Sequence, residues 1–356
     1  MEPKSKLANT RIVVFDLDGV ITDESPYWES ARATVRGVAG LREPDCDLIG
    51  AEDPYSLSDQ AISFLKNRAI NSNWDVAFVM LCGLLSAGSP EHAKTILRRL
   101  QDGCEIEPGD RAVAVGKDVE ARFWERLSRA PVVGSELLRF AGNLAGARLS
   151  PSFQSYSILG QEFYGRVHAC CQEVHEQRMK NGTARHVPTV PLDQLVEIVF
   201  RIREELGPSL GVATGRTRLE AVAALEQFGI LKLFDPKRII THDEVLAAEE
   251  GLAGLGNHRR LGKPHPFVLL KAIYPEIDLV SLLPRVGSDN ADTVLVGDTT
   301  SDVMAAKAAK AGSVGVVGAI RDPQARSERQ RRLLDEGVDF VVESLAEIPE
   351  VLRRRG

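Results

Sequence analysis

The chain has 356 residues, of which 44% are hydrophobic and 26% are charged. This composition is typical of a globular protein and excludes a mainly disordered or fibrous chain. The formal net charge of −6 is mild and the basic residues are scattered, so we expect no nucleic acid partner. The length exceeds what one hydrophobic core usually supports, which predicts two domains or one domain with a large insertion.

The N-terminal segment and the hydropathy of the chain bear on its location. The first ten residues are polar and lack the apolar stretch of a secretory signal, and no later apolar run is long enough to cross a bilayer. We therefore expect a cytoplasmic protein with no membrane partner. The five cysteines form neither an even disulfide framework nor a C-x-x-C pattern, and we expect them to be reduced.

The first predicted element is a strand over residues 11–15, where the β-branched run RIVVF stops at DLDG. Similar runs recur far downstream, as LGVAT at 210–214, TVLVG at 293–297 and SVGVV at 313–317. Ala-rich helical patterns follow the first two of these, and DFVVES and LAEIPEVLRR close the chain as a strand and a helix. Repeated strand and helix units predict a Rossmann-like, doubly wound parallel α/β sheet.

A long segment from residue 24 to residue 206 separates the first predicted strand from the second. It is too long for a loop, and its hydrophobic patterns are nearly all helical. We expect an all-α domain inserted after the first strand. The pairs Ser25-Pro26 and Gly207-Pro208 suit hinge linkers at the two crossings. The predicted domains are a core of residues 1–23 and 207–356 and a helical insert of residues 24–206.

Polar side chains follow the ends of several predicted core segments. In a doubly wound fold, ligands bind outside the carboxyl ends of the strands, so these side chains should converge. Close carboxylates are costly unless they are protonated or share a cation, and ligation by oxygen alone favours Mg²⁺. A phosphoester substrate follows, with an aspartate as a possible covalent nucleophile. The candidates are Asp16 as nucleophile, Asp18, Thr214, Lys263, Asp298 and Asp302.

Four segments carry a family resemblance: FDLDGVITD, VATGR, GKPHP and VGDTTSD, in this order. In these segments the chain resembles the haloacid dehalogenase-like superfamily of phosphatases. The resemblance covers about residues 11–23 and 210–352, and the insert lies where this superfamily places a cap, between the first and second motifs. It implies a Mg²⁺-dependent phosphatase that acts on a small phosphorylated metabolite through an aspartyl-phosphate.

The resemblance also implies a role for each matching residue. Asp16 would attack phosphorus, and Asp18 would protonate the leaving group and then activate water. Thr214 and Lys263 would bind the phosphoryl group, and Gly215 and Arg216 beside Thr214 are further candidates for contact with the substrate. The metal ligands would be the carboxylates of Asp16 and Asp298 and the backbone carbonyl of Asp18. Asp302 would order Lys263 or a metal-bound water.

Two features keep alternatives open. The motif DGVITD, with Val20 after the glycine, is similar to that of β-phosphoglucomutases, so a sugar-phosphate mutase is the second enzymatic interpretation. A binding protein that merely retains the fold is a third interpretation. Arg216 could contact an anionic substrate, or it could be a helix N-terminal arginine paired with an acid such as Glu220. Asp18 disfavours the dehalogenase and phosphonate hydrolase chemistries of the superfamily.

Overall fold

The computed structural model describes residues 10–41, 55–68, 70, 72–102, 117–146, 161–182, 185–257, 259–320 and 322–353. They fall into two compact units. We call the first, which comprises the chain up to Glu24 and from His186 onward, the core unit. The second, Ser25–Arg185, is the helical unit.

The core unit contains a sheet of six parallel strands in the order β3-β2-β1-β4-β5-β6. The strands are β1 (Ile12–Phe15), β2 (Ser209–Ala213), β3 (Ile239–Ile240), β4 (Thr293–Gly297), β5 (Gly312–Val316) and β6 (Phe340–Val342). The prediction of a Rossmann-like parallel α/β sheet is confirmed. In the central strand, Phe15 is in register with Val212 of β2 and Val296 of β4, so the carboxyl ends of these three strands lie at one edge.

In its described residues, the helical unit contains helices and no strand. Helix α3 packs against four of the others and is buried on nearly all sides, which explains why it is apolar around its whole circumference. The helices are α1 (Ser25–Ala39), α2 (Asp59–Lys66), α3 (Asn73–Ala87), α4 (Pro90–Asp102), α5 (Lys117–Arg129), α6 (Gly134–Gly146) and α7 (Gln161–Lys180).

The helices of the core unit cover both faces of the sheet. Val13 and Phe15 of β1 belong to one buried cluster and Val14 to another, which is why the strand reads as a continuous apolar run. The helices are α8 (Leu192–Phe200), α9 (Arg218–Gln227), α10 (His242–Gly254), α11 (Phe267–Ile273), α12 (Leu279–Leu282), α13 (Thr300–Ala308), α14 (Pro323–Glu336) and α15 (Ile348–Arg353).

The boundary predicted at residue 206 differs from the observed division. Helix α8 and the π-helical turn Arg201–Leu206 belong to the core unit, because Leu195, Ile198 and Ile202 share a buried cluster with Phe15. Helical periodicity shows that a helix has an apolar face but not what covers that face. The second crossing therefore lies at Arg185 and His186, and Gly207, at φ +83°, ends the π-helical turn.

The two crossings of the core unit are adjacent. Asp23 donates its backbone N–H to the carbonyl of Val187 at 2.7 Å, and Thr189 donates to Ile21 at 3.1 Å. The chain thus leaves and re-enters the core unit at neighbouring points. A short linker could join them.

Two further expectations concern membranes and cysteines. Among the described residues, no helix is long and apolar enough to cross a membrane. Cys82 and Cys171 are buried and lie outside any disulfide, as expected. Cys170 is disulfide-bonded, which contradicts the expectation that every cysteine is reduced. The adjacent Cys171 is not its partner.

Candidate active site

Asp16 lies immediately after β1, at the carboxyl edge of the sheet. Its backbone N–H donates to the carbonyl of Val296 at 2.8 Å, which extends the ladder with β4 by one residue. Its carboxylate accepts the N–H of Leu17 on Oδ1 at 2.8 Å and lies 2.7 Å from the Lys263 Nζ through Oδ2. The Asp16 side chain is buried, and its ion pair with Lys263 fixes its position.

Lys263 contacts groups at or after the carboxyl ends of three different strands. Its Nζ lies 2.7 Å from Oδ2 of Asp16 and 2.7 Å from Oδ1 of Asp302, and it donates to the carbonyl of Ala213 at 3.1 Å. Sequence analysis predicted that these groups converge, and the structure brings them within hydrogen-bond distance of one ammonium.

Burial and neighbouring charges shift the pKa values of Asp16 and Lys263. Burial raises the pKa of the Asp16 carboxyl to about 8, although the ammonium of Lys263 acts to lower it. Asp302, Asp18 and Asp298 add to the increase through like-charge repulsion. Burial acts to lower the pKa of Lys263, but Asp16 and Asp302 together hold it above its usual value. Ionised Asp16 is therefore costly unless a further cation stabilises it.

Three carboxylates form a candidate metal site. Asp16, Asp298 and Asp302 each offer an oxygen, and these oxygens lie within 4.8 Å of one another. Asp302 is the third residue of α13, where its Oδ2 accepts the N–H and the hydroxyl of Thr299 at 3.1 and 2.6 Å. Its Oδ1 accepts from Lys263, so both oxygens of Asp302 already have partners, which favours a supporting role.

Asp18 does not join this carboxylate cluster through its side chain. The sequence placed the carboxylates of Asp16, Asp18 and Asp298 within a few ångströms of one another, whereas the described cluster contains Asp302 in place of Asp18. The carboxylate of Asp18 pairs with the guanidinium of Arg216, whose Nε lies 3.0 and 3.1 Å from its two oxygens. This ion pair holds the side chain of Asp18.

Gly19 allows the first loop to approach the candidate metal site. Its φ is +71°, a left-handed conformation that glycine adopts without strain. A Cβ at this position would lie 2.6 Å from the carboxylate of Asp298 and 2.8 Å from Oε1 of Glu24. Any side chain at residue 19 would therefore displace Asp298.

Thr214 and Gly215 follow β2 at the same edge. Thr214 is buried, and its N–H donates to the carbonyl of Ile240 at 3.1 Å. The Thr214 hydroxyl accepts the N–H of Arg216 at 3.2 Å, and among the described residues other than its chain neighbours no atom lies within 4 Å of a Cβ built on Gly215. Glu220, the acid considered for Arg216, accepts the N–H and hydroxyl of Thr217 and so caps α9.

Sequence analysis missed Arg329. This buried arginine of α14 donates from Nη1 to the backbone carbonyl of Asp298 at 2.8 Å and lies 3.3 Å from its Oδ2. The sequence gives only a weak indication that Arg329 is buried: it lies one turn before Leu333 on a helix that is mostly polar. Because it contacts a residue after β4, its role appears only in the folded chain.

We expect Arg329→Met to lower the free energy of unfolding of the metal-free protein by about 3 kcal/mol, because a buried carboxylate would lose its cation. Arg332→Met is the matched control on the same helix. Arg332 pairs with Glu328 at 2.6 Å near the surface, and its loss should change stability by about 0.5 kcal/mol or less. Chemical denaturation measures both variants, and equal small effects would contradict the structural role of Arg329.

Comparison with known proteins bears on this site. Residues 166–316 match the model of a family described as haloacid dehalogenase-like hydrolase. This part of the chain is similar to that family. The matched segment contains Thr214, Lys263, Asp298 and Asp302 but begins after Asp16 and Asp18. The resemblance of the first motif to this family therefore lies outside the match.

Solved structures resemble the chain at low identity. A crystal structure from a structural genomics consortium has a TM-score of 0.62 and 22% identity, over 96% of this chain and 98% of its own, which shows the fold alone. A hydrolase from Pseudomonas syringae has a TM-score of 0.43 and 15% identity, over 98% and 100% of the two chains. CbbY from Rhodobacter sphaeroides, solved with phosphate, has a TM-score of 0.44 and 15% identity, over 95% and 96%. No curated protein matches the sequence.

Proposed function

We propose that this haloacid dehalogenase-like protein is a Mg²⁺-dependent phosphatase that hydrolyses a small phosphomonoester through an aspartyl-phosphate on Asp16. The observation that carries the proposal is the ammonium of Lys263, which lies 2.7 Å from both Asp16 and Asp302 at the carboxyl edge of the sheet. A buried carboxylate beside a fixed positive charge suits an attack on a group that carries negative charge.

The residues divide the chemistry between them. Asp16 attacks phosphorus with a carboxylate oxygen, the bond from phosphorus to the ester oxygen breaks, and Asp18 donates a proton to that oxygen. Asp18 then takes a proton from water, which attacks phosphorus and releases phosphate while Asp16 is regenerated. Lys263 and Thr214 bind the oxygens of the phosphoryl group. Arg216, a candidate for substrate contact, pairs with the carboxylate of Asp18.

The donor set fits a magnesium ion. The carboxylates of Asp16 and Asp298 and the backbone carbonyl of Asp18 would hold it, with Asp302 in support. All of these donors are oxygens, as Mg²⁺ prefers. When bound, the ion supplies positive charge to the phosphoryl oxygens and to the Asp16 carboxylate.

Hydrolysis can be tested by phosphate release over sugar phosphates, phosphoglycolate, nucleotides and amino-acid phosphates with Mg²⁺ present. Release from at least one ester class, without a bisphosphate activator, is the expected result. Transfer within a sugar phosphate that needs such an activator and releases no phosphate would favour the mutase. No turnover across the panel would favour a binding protein.

We also propose that the helical unit selects the substrate, as a cap does. Replacing Ser25–Arg185 by a short Gly/Ser linker should leave a soluble core, because all six strands lie outside this range and its two ends are adjacent. Slow hydrolysis of nitrophenyl phosphate should persist, while efficiency on the best natural ester collapses for lack of remote binding energy.

The same deletion with Asp16→Asn is the control for this prediction, and it should release no phosphate. Selectivity that is unaltered in the deletion protein would show that the helical unit does not select the substrate. A deletion protein that folds in no soluble form would show that the helical unit is structural.

A further inference from the structure

The guanidinium of Arg216 contacts both carboxylate oxygens of Asp18. Nε of Arg216 lies 3.0 Å from Oδ1 and 3.1 Å from Oδ2 of Asp18, and Nη2 also donates to Oδ1. The Arg216 side chain is 5% exposed and that of Asp18 19%. Because a guanidinium is planar and its N–H groups are rigidly arranged, this contact fixes the orientation of the carboxylate as well as its position.

Arg216 is itself held on its other sides. Nη2 donates to the hydroxyl of Thr22 at 3.0 Å, and Nη1 lies 3.2 Å from Nδ1 of His186. The backbone N–H of Arg216 donates to the hydroxyl of Thr214 at 3.2 Å. Thr22 and His186 therefore orient the guanidinium, and Thr214 holds the backbone of Arg216. This arrangement suits a group that holds another side chain in place.

We propose that Arg216 is a positioning residue: it holds Asp18 facing the leaving-group oxygen and pairs with the carboxylate that remains after protonated Asp18 has given its proton to that oxygen. The inference rests on the proposed function, in which Asp18 is the general acid. Proton transfer requires the carboxyl within hydrogen-bond reach of the oxygen it protonates, and a small misplacement lowers the rate steeply. The loss of Arg216 should then lower kcat/KM only for those esters whose leaving group needs a proton, because kcat/KM reports the step in which the leaving group departs and not the later attack of water.

This inference differs measurably from a role in phosphoryl binding. If Arg216 bound the phosphoryl group, its loss would affect every ester alike, since all share that group. A positioning role predicts selective loss. Glycerol 2-phosphate leaves as an alkoxide that needs protonation, whereas nitrophenolate departs without an acid. The ratio of kcat/KM for these two esters therefore reports on Asp18 alone.

The experiment compares the two esters in the full chain with Mg²⁺. Arg216→Met should lower kcat/KM for glycerol 2-phosphate about 10²-fold, and that for nitrophenyl phosphate less than about 3-fold. Asp18→Asn should show the same selectivity. The double variant should be no slower than Asp18→Asn alone, because the two residues act as a unit.

Two further variants make the result decisive. Arg218→Met is the matched control, because Arg218 is two residues away and pairs with Glu244 at 2.6 Å, and it should leave the ratio unchanged. Arg216→Lys keeps the charge but cannot grip both oxygens, so the ratio should be intermediate, and this variant gives a result if Arg216→Met is insoluble. Equal losses on both esters, or losses that add to those of Asp18→Asn, would overturn the inference. If the wild-type chain hydrolyses neither ester, the proposed function fails first.

Discussion

Asp16→Asn is expected to lower phosphate release by about 10⁴-fold or more, as the loss of a nucleophile does in other enzymes that act through covalent intermediates. A neutral amide cannot attack phosphorus, and the variant also removes one of the two carboxylates that hold Lys263. Steady-state phosphate release on the best ester measures the change. Activity within about 10-fold of wild type would contradict the assignment of Asp16.

The same variant should retain its fold, and the pH dependence of its stability supplies the control. Burial raises the pKa of Asp16 from 3.8 to about 8, so between these values the native chain keeps a proton that the unfolded chain loses. Stability contributed by this group is present at low pH and is lost as the pH rises through that window. In the presence of chelator, the Tm of the wild type should fall from pH 4 to pH 8 more than that of Asp16→Asn. Parallel Tm curves would contradict the raised pKa.

Removing divalent metal is expected to abolish turnover of every ester. Asp16, Asp298 and Asp302 offer oxygens within 4.8 Å of one another, and the ammonium of Lys263 and the guanidinium of Arg329 contact them as cations. A metal stabilises phosphoryl charge by several kcal/mol, which corresponds to a loss of roughly 10² to 10⁴-fold on chelation.

Adding metal ions back to the chelated protein distinguishes Mg²⁺ from Ca²⁺ by the activity that each restores. Mg²⁺ should restore the activity, whereas Ca²⁺, which prefers more ligands and a looser geometry, should bind without restoring it and should inhibit the magnesium-loaded protein. Titration calorimetry on Asp298→Asn, which should bind Mg²⁺ more weakly than wild type, ties the effect to the site. Undiminished turnover after exhaustive chelation would remove the metal from the reaction.

Elements whose patterns depend on local burial could be predicted from the sequence. The run at 11–15 reads as a strand because both its faces are covered, and the polar residues after β1, β2 and β4 converge because parallel strands end at one edge. The convergence of Asp16, Thr214 and Asp298 needed only that rule, whereas Lys263 follows no predicted strand and was placed by the position of its motif between the second and fourth motifs. The fold class and the core of the candidate site therefore followed from chain order.

Contacts between distant segments could not be predicted in this way. Arg216 faces Asp18 across 198 positions of the chain, and Arg329 reaches Asp298 from a helix that carries no motif. The assignment of α8 to the core unit likewise depends on which sheet face covers Leu195 and Ile198. Helical and strand periodicities describe one segment at a time, so they do not identify its partners.

The aspartyl-phosphate on Asp16 can be tested most directly by trapping it. During steady-state turnover the reaction is quenched with acid, and the protein is reduced with borohydride, which converts an acyl phosphate of aspartate to homoserine. Peptide mass spectrometry should find homoserine at position 16 in the wild type and none in Asp16→Asn. The aspartyl-phosphate can be formed in two independent ways: by the wild type from an alkyl ester, and by Asp18→Asn from nitrophenyl phosphate. Turnover with no modification at Asp16, or with modification at another carboxylate, would contradict the account.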